Sequence, residues 1–289
     1  MSPVFKPQVL QDKLIFPVPS VTERTREEKA YMWKPCLVDA MTSENDIARV
    51  LIKNGLRLFR MPRQPIEFTR IPEANNLLND LKKHPHFFVL GCIMDRQVKA
   101  ERAWVIPYRI SQIVKSPSFE SFLTLRRKQI LYVFEKEGLH RFNSTMASLF
   151  YRAIETIHTT YHDDASRIWI GAPASAAIVR RFLEFDGVKI KIASMAANIL
   201  ARQFKVPMRD LLCIDVSPDR HVRRVFRRTG LVPEKATNEY LVYRARELYP
   251  KYPGVFDMSC FTLGRDVCHV HSPDCRMCYL SPCCPRVGT

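Results

Sequence analysis

Apolar residues recur at helical spacing along most of this chain. They stand three and four positions apart, as in helices with one buried face. The pattern predicts a helix beginning at Ser43, whose hydroxyl is the expected N-cap, and a helix opened by Pro72 and stopped at His84. Further helices are predicted over 105–115, 117–123, 125–136, 143–160, 173–184 and 192–204. Because helix follows helix through short connections, the expected architecture is all-α.

Three segments depart from this pattern. Residues 87–94 are wholly apolar, and periodicity leaves open whether they form a buried strand or a buried helix. Residues 56–70 are basic and aromatic and contain two prolines, which predicts a loop or a short strand. Residues 1–40 combine several prolines with a charged run, and an extended arm with room for one short helix is expected there.

The charge of the chain indicates its class of partner. Forty-five basic against 29 acidic side chains give a formal net charge of +16 over 289 residues. Such an excess favours association with polyanions, nucleic acid above all, although a basic protein without such a partner stays an alternative. No stretch approaches the roughly 20 apolar residues of a membrane span, and the N-terminus lacks the features of a secretory signal. We therefore expect an intracellular protein, in the cytoplasm or nucleoid or in the nucleus of a eukaryote, whose partner is nucleic acid.

The cysteines are concentrated near the C-terminus. Five of the nine lie between Cys268 and Cys284, and in a reducing compartment such a cluster points to metal rather than to disulfides. The spacing Cys268-x6-Cys275-x2-Cys278-x5-Cys284 allows four thiolates to surround one compact inorganic centre, with Cys283 as an alternative fourth ligand. Zinc sites usually show two short Cys pairs, whereas here there is one, which favours an iron–sulfur cluster. The predicted ligands are Cys268, Cys275, Cys278 and Cys284.

This cysteine spacing, just after Gly264-Arg265, resembles the cluster loop of the endonuclease III family of DNA glycosylases. The resemblance implies a [4Fe–4S] cluster that is not the catalytic centre. It also implies that basic residues of the loop, among them Arg276, meet the DNA backbone.

A second match lies upstream, where residues 182–193 are similar to the family's helix–hairpin–helix. Gly187 matches the hairpin glycine that turns the chain tightly and presents N–H groups to a phosphate. Lys189 departs from the pattern, because it stands where the second glycine belongs, and a lysine there could contact phosphate itself. Lys191 falls on the family's catalytic lysine, whose neutral amine attacks C1′ of the sugar and forms a Schiff base. A solvated lysine on a basic hairpin is the alternative interpretation.

A third match begins at Asp219, which precedes His221 and Arg224 as in the family's VDTHxxRV segment. The implied role of this aspartate is to stabilise the cationic sugar or to activate the nucleophile, which is compatible with a helix N-cap. Asp215 is the runner-up, because the stretch between the lysine and the aspartate is longer than in the family. Arginines follow at 223, 224, 227 and 228. Of these, Arg223 and Arg227 are expected to meet phosphates, although a solvated charged face is the usual explanation for such a run.

A fourth match ends at Gln97. Residues 90–97 resemble the family's apolar helix ending in LLSAQ, whose glutamine enters the gap left by a flipped nucleotide. Asp95 and Arg96 replace the usual Ser-Ala pair and are candidates for contact with the opposite strand or the flipped base. Trp104 is a further candidate for the wall of the base pocket.

Together the matches cover residues 72–289 in the family's order. They imply a two-lobed, all-α helix–hairpin–helix glycosylase fold with a C-terminal [4Fe–4S] cluster loop. Residues 84–206 would form a six-helix barrel lobe, and 71–83 with 207–289 a cluster lobe. Residues 1–70 would be an extension of uncertain fold that could lengthen the substrate channel, dock on the cluster lobe or bind another protein.

The implied function is base excision from double-stranded DNA by a monomer. The enzyme would cleave the N-glycosidic bond of a flipped damaged, modified or mismatched base, with associated lyase activity at the abasic site. Two alternatives stay open: a glycosylase without lyase activity that uses water activated by Asp219, and a non-catalytic DNA-binding iron–sulfur protein. The sequence does not select the base, because several helices form the walls of such a pocket.

Overall fold

The computed structural model describes residues 44–289, and every regular element in that range is helical. The α-helices are α1 Glu44–Arg60, α2 Pro72–Asn79, α3 Pro85–Met94, α4 Ala100–Trp104, α5 Ile106–Ile113, α6 Phe119–Leu123, α7 Arg127–Lys136, α8 Asn143–Tyr161, α9 Ser175–Leu183, α10 Ile190–Arg202, α11 Arg220–Arg228, α12 Asn238–Leu248 and α13 Phe256–Asp266. Short 3₁₀ turns span Ala165–Ile168, Pro253–Val255 and Cys275–Met277. The predicted arm over 1–40 and the predicted cap at Ser43 lie outside the described residues. None of the described helices is long and apolar enough to cross a membrane.

The apolar run 87–94 is a helix, which settles the choice that periodicity left open. Every residue of α3 is buried, because α2, α4, α5, α8 and α10 surround it. A helix enclosed on all sides shows no polar face, so its sequence loses the 3.6-residue signal. Helix α3 is therefore the centre of the hydrophobic core that these helices form.

Trp104 belongs to this core. It is 4% exposed and stacks on Phe68 with ring centroids 4.3 Å apart. A Cβ at Gly91 would lie 2.5 Å from its ring, so α3 and the indole approach each other closely. Trp104 therefore supports the end of α3 from within and does not line a surface that a base could reach.

The prediction of a loop or strand over 56–70 is wrong for its first residues, since α1 continues to Arg60. Arg57 and Arg60 lie in the last turn, where the helix dipole favours cations. Within the predicted segment, the residues from 61 onward have no regular structure.

Helix α1 packs against α13 and the 3₁₀ turn before it. A Cβ at Gly55 would lie 2.2 Å from the carbonyl oxygen of Val255, so the backbones are in direct contact there. Asn54 Nδ2 donates to Ser259 Oγ at 3.3 Å and to the Tyr279 hydroxyl at 3.2 Å. The described part of the predicted extension is thus packed against the region that carries the cysteine loop.

Candidate functional site

The predicted hairpin joins α9 to α10. Gly187 has φ of +73°, in the left-handed region that favours glycine. Phe185 and Val188 are buried on either side of the turn, whereas Gly187 and Lys189 are exposed. Lys189 is the extended residue immediately before α10. The backbone of the turn therefore faces outward, as a phosphate-binding turn requires.

Lys191 is the second residue of α10 and meets an acidic partner from α3. Its Nζ lies 3.9 Å from Oδ2 of Asp95, which directly follows the last turn of α3. The Asp95 side chain is 15% exposed and that of Lys191 is 39% exposed. Burial raises the pKa of the Asp95 carboxyl, the nearby Lys191 ammonium opposes this, and the charge of Asp219 adds to it. The charges of Lys191 and Asp219 therefore both influence the pKa of Asp95, although the two residues belong to different helices.

Asp219 is the N-cap of α11. Its Oδ1 accepts the backbone N–H groups of His221 and Val222, both at 2.7 Å. These bonds fix the carboxylate at the positive end of the helix. The capping role and a position at the candidate site therefore coexist in one residue.

Asp215, the alternative aspartate, is engaged elsewhere. Both of its oxygens accept from Arg246 of α12, Oδ1 from Nε at 2.6 Å and Oδ2 from Nη2 at 2.8 Å. The carboxylate is 3% exposed. This bidentate pair anchors the segment before α11 to α12.

A buried polar network lies beneath the same segment. Asp257 accepts the Ser217 backbone N–H at 2.6 Å and Asn198 Nδ2 at 2.7 Å. Burial raises the pKa of Asp257 to about 7, and these hydrogen bonds and Arg202 oppose the shift. The network ties α10, the helix of Lys191, to the segment that leads into Asp219. Sequence reasoning missed it, and the one local signal is the polar Asn198 among the small and apolar residues in the middle of α10.

Residues 95–97, which directly follow α3, run beside the hairpin. Gln97 is exposed with φ of +49°. Arg96 Nε donates to the Ile93 carbonyl at 3.1 Å, while its buried Nη2 has no hydrogen-bond partner among residues 44–289. A Cβ at Gly187 would lie 2.6 Å from Arg96 Nη1, so the guanidinium lies directly against the hairpin turn. Three of the predicted DNA contacts, at 96, 97 and 187, are therefore neighbours.

The arginine-rich helix α11 holds the cysteine loop. Arg224 Nε donates to the Cys268 carbonyl at 2.6 Å, and its Nη2 donates to the Gly264 carbonyl. Arg228 donates to the carbonyls of His269 and Val270, and to Cys268 Sγ at 3.4 Å.

The other two arginines of this helix differ in their contacts. Arg223 Nη1 donates to Asn238 Oδ1 at 2.9 Å, and Arg227 is half-buried. Arg224 and Arg228 thus hold the cysteine loop by hydrogen bonds, so the arginine run is not merely a solvated charged face. Arg276, on the loop itself, is exposed.

The four predicted ligand thiols are half-buried and lie within electrostatic range of one another. Burial raises the pKa of Cys278 to about 11, with the other three thiols adding to the shift, and the backbone N–H of Leu280 opposes it. The thiol of Cys283 is buried and donates to the Leu280 carbonyl at 3.4 Å. Across residues 44–289, no group of three or more His, Cys, Asp or Glu side chains is arranged as a metal site. Four soft sulfurs in one loop, with the Arg228 guanidinium donating to one of them, are a donor set whose chemistry suits a thiolate-bound cluster.

Solved structures share this architecture. The chain is similar to a trapped endonuclease III–DNA covalent intermediate, with a TM-score of 0.56 and 15% identity over 84% of this chain and 97% of that one. For a non-covalent endonuclease III–DNA complex, the TM-score is 0.57 and the identity 15%, over 84% of this chain and 96% of that one. For a thermostable thymine-DNA glycosylase, the TM-score is 0.56 and the identity 16%, over 84% of this chain and 97% of that one. No protein-family model and no curated protein sequence matches the chain. The chain therefore has the endonuclease III-like fold, and the predicted all-α fold class is confirmed.

Proposed function

We propose that this protein is a DNA glycosylase with associated lyase activity, and that Lys191 is its nucleophile. One observation carries the proposal: Lys191 Nζ lies 3.9 Å from the partly buried carboxylate of Asp95, whose pKa the charge of Asp219 also raises. Despite the long connection between Lys191 and Asp219, the charge of Asp219 thus reaches the carboxyl that pairs with Lys191. Proximity of a lysine and a carboxylate is what nucleophilic attack on a sugar carbon requires.

The proposed reaction begins on the flipped nucleotide of a double-stranded DNA. The lone pair of the Lys191 amine forms a bond to C1′, and the electron pair of the glycosidic bond leaves with the base. Ring opening then gives a Schiff base at C1′, from which the lyase step proceeds. Both capping bonds of Asp219 go to Oδ1, so Oδ2 is available to stabilise the positive charge on the sugar.

The proposed DNA contacts surround this chemistry. The outward-facing turn at Gly187 and Lys189 would receive a backbone phosphate, and Gln97 would fill the gap left by the flipped nucleotide. Arg96 would add positive charge beneath the turn. Further phosphate contacts are assigned to the remaining arginines of the interface, namely Arg223, Arg227 and Arg276. We propose that one monomer binds one site on a damaged or modified duplex.

We further propose a [4Fe–4S] cluster held by Cys268, Cys275, Cys278 and Cys284. Such a cluster would cross-link the loop beside α11 and take no part in the reaction. The exchange Cys284→Ser is expected to abolish bound iron and sulfide, whereas Cys283→Ser should retain about four of each per chain. Equal loss in both variants, measured by iron and sulfide analysis of purified protein, would refute this choice of ligands.

The decisive experiment is borohydride trapping on duplexes that carry an abasic site or one of a panel of altered bases. The wild type is expected to form a covalent adduct that Lys191→Ala abolishes. Lys128→Ala is the matched control, because Lys128 is also the second residue of a helix, α7, and is exposed. It should trap DNA as the wild type does. Circular dichroism establishes that each variant is folded.

Other outcomes distinguish the alternatives. Release of free base that depends on Asp219, without any adduct, would indicate a glycosylase that activates water. DNA binding without adduct or base release, on every duplex of the panel, would indicate a binding protein.

A further inference from the structure

A third ionisable group, to which the glycosylase proposal assigns no chemical step, lies at the site. Asp95 stands where the resembling family has a small serine, at the end of the fully buried helix α3. Its carboxylate is 3.9 Å from the Lys191 ammonium and is largely shielded from water. A carboxylate at the C-terminus of a helix is opposed by the helix dipole, so this position is costly for structure alone.

The charged groups that face Asp95 come from two other helices. Lys191 approaches from α10 and Asp219 from the start of α11, and the thiol of Cys92 lies on α3 itself. Burial and the charge of Asp219 both raise the pKa of Asp95, with Lys191 opposing them. A carboxylate whose negative form is disfavoured on these grounds is a better proton acceptor than an exposed one.

We propose that Asp95 is a catalytic acid–base that takes the proton of the Lys191 ammonium and returns it to the departing group. The inference rests on the proposed role of Lys191 as nucleophile. In the first step, Lys191–NH₃⁺ and Asp95–COO⁻ become Lys191–NH₂ and Asp95–COOH. The amine then bonds to C1′, the electron pair of the glycosidic bond leaves with the base, and Asp95 protonates that base.

The same group serves at an abasic site, where no base has to leave. The amine adds to the C1′ aldehyde, the carbonyl electron pair moves to oxygen, and Asp95 returns its proton to that oxygen. A second proton passes from nitrogen to the same oxygen, which departs as water. Overall, Lys191–NH₃⁺ and the aldehyde give a protonated Schiff base and one water, and Asp95 ends as the carboxylate.

A purely electrostatic role makes the opposite prediction. A carboxylate that only pairs with the ammonium holds the proton on Lys191, so its removal would release the neutral amine at lower pH. Adduct formation near neutral pH would then become faster. If Asp95 accepts the proton, its removal makes the reaction slower, by about 10²-fold for the loss of one general acid–base.

The experiment measures the rate of borohydride trapping on an abasic duplex between pH 5.5 and 9, in the full chain. The variants are Asp95→Asn and, as a second carboxyl-free replacement in case the first does not fold, Asp95→Ser. Asp80→Asn is the matched control, because Asp80 is also the C-cap of a helix and bonds only local backbone. We expect both Asp95 variants to be about 10²-fold slower at pH 7 and to recover as pH rises. The control should match the wild type.

Each outcome separates this inference from the proposed function. Trapping by the Asp95 variants that is as fast as wild type, or faster with a profile moved to lower pH, refutes the inference and leaves Lys191 as nucleophile. Absence of an adduct with the wild type refutes the lyase proposal, and the role of Asp95 fails with it.

Discussion

The ion pair between Asp215 and Arg246 offers a test that separates structure from chemistry. Replacing Arg246 with Gln removes both donors of the bidentate pair and leaves a carboxylate that is 3% exposed without its cation. The side chain of Arg246 is itself 41% exposed, so water can partly take its place.

The expected cost follows from this burial. Removing one partner of a fully buried pair lowers the free energy of unfolding by about 3–5 kcal/mol. Because water partly reaches Arg246, we expect a loss of about 2–3 kcal/mol for Arg246→Gln. For a chain of this size, that corresponds to a fall in Tm of about 5–10 °C. Asp215→Asn should cost less, about 1–2 kcal/mol, because the remaining guanidinium can be hydrated.

The assay is thermal and urea unfolding followed by circular dichroism, with Glu247→Gln as the control on the same helix. Glu247 pairs with Arg244 at 2.7 Å but is 69% exposed, so its loss should change stability by less than about 1 kcal/mol. Borohydride trapping is measured on the same samples below their Tm. Asp215→Asn should retain the adduct, whereas Asp219→Asn should lose it.

Two results would refute this reasoning. A shift for Arg246→Gln no larger than that for Glu247→Gln would mean that the buried pair contributes nothing to stability. Loss of trapping in folded Asp215→Asn, with trapping retained in Asp219→Asn, would make Asp215 the catalytic aspartate.

Three further predictions concern close contacts and one buried acid. Gly187→Ala adds a Cβ at φ of +73°, 2.6 Å from Arg96 Nη1, and should lower the free energy of unfolding by about 1–2 kcal/mol. It should also weaken binding to an abasic duplex in fluorescence anisotropy, and unchanged affinity would mean that the turn does not contact DNA. Gly55→Ala places a Cβ 2.2 Å from the Val255 carbonyl oxygen and should destabilise the chain by about 1–3 kcal/mol in urea unfolding, and a neutral effect would contradict the packing of α1. Because the pKa of Asp257 is raised to about 7 by burial, the folded state holds a proton that the unfolded state releases. Stability of the wild type should therefore fall by up to about 1.4 kcal/mol per pH unit between about pH 4 and 7, and Asp257→Asn should lack that part of the slope; parallel pH–stability curves would refute the assignment.

Local chemistry made much of this molecule predictable. A buried helix face forces apolar residues to recur at its own period, which predicted helices over the segments that form α1, α2 and α5 to α10. Periodicity left α3 undecided because this helix is enclosed on all sides, and it predicted no helix over α4, α12 or α13. A turn with positive φ favours glycine, and Gly187 stands at such a turn. A helix start favours a short side chain with an acceptor oxygen, which Asp219 supplies. The C-terminal cysteines were recognisable as candidate ligands because their spacing alone suggests that they bind one inorganic centre.

Contacts between distant residues were decided by the tertiary structure. The local sequence favoured Asp219 and left Asp215 as the runner-up, and the approach of Arg246 from α12 engages Asp215 in an ion pair. Asp95 was expected to meet the flipped base or the opposite strand, and only the packing of α3 against α10 brings it to Lys191.

The physical reason is the range over which each signal acts. Backbone geometry, capping and helical period depend on neighbours within a few residues, so the sequence by itself determined most of the helices, the hairpin turn and the N-cap at Asp219. The partner of a buried charge depends on which helices enclose it, and that choice is made by the packing of the whole chain. The tertiary structure alone therefore decided that Asp95 faces Lys191 and that Asp215 is bound to Arg246.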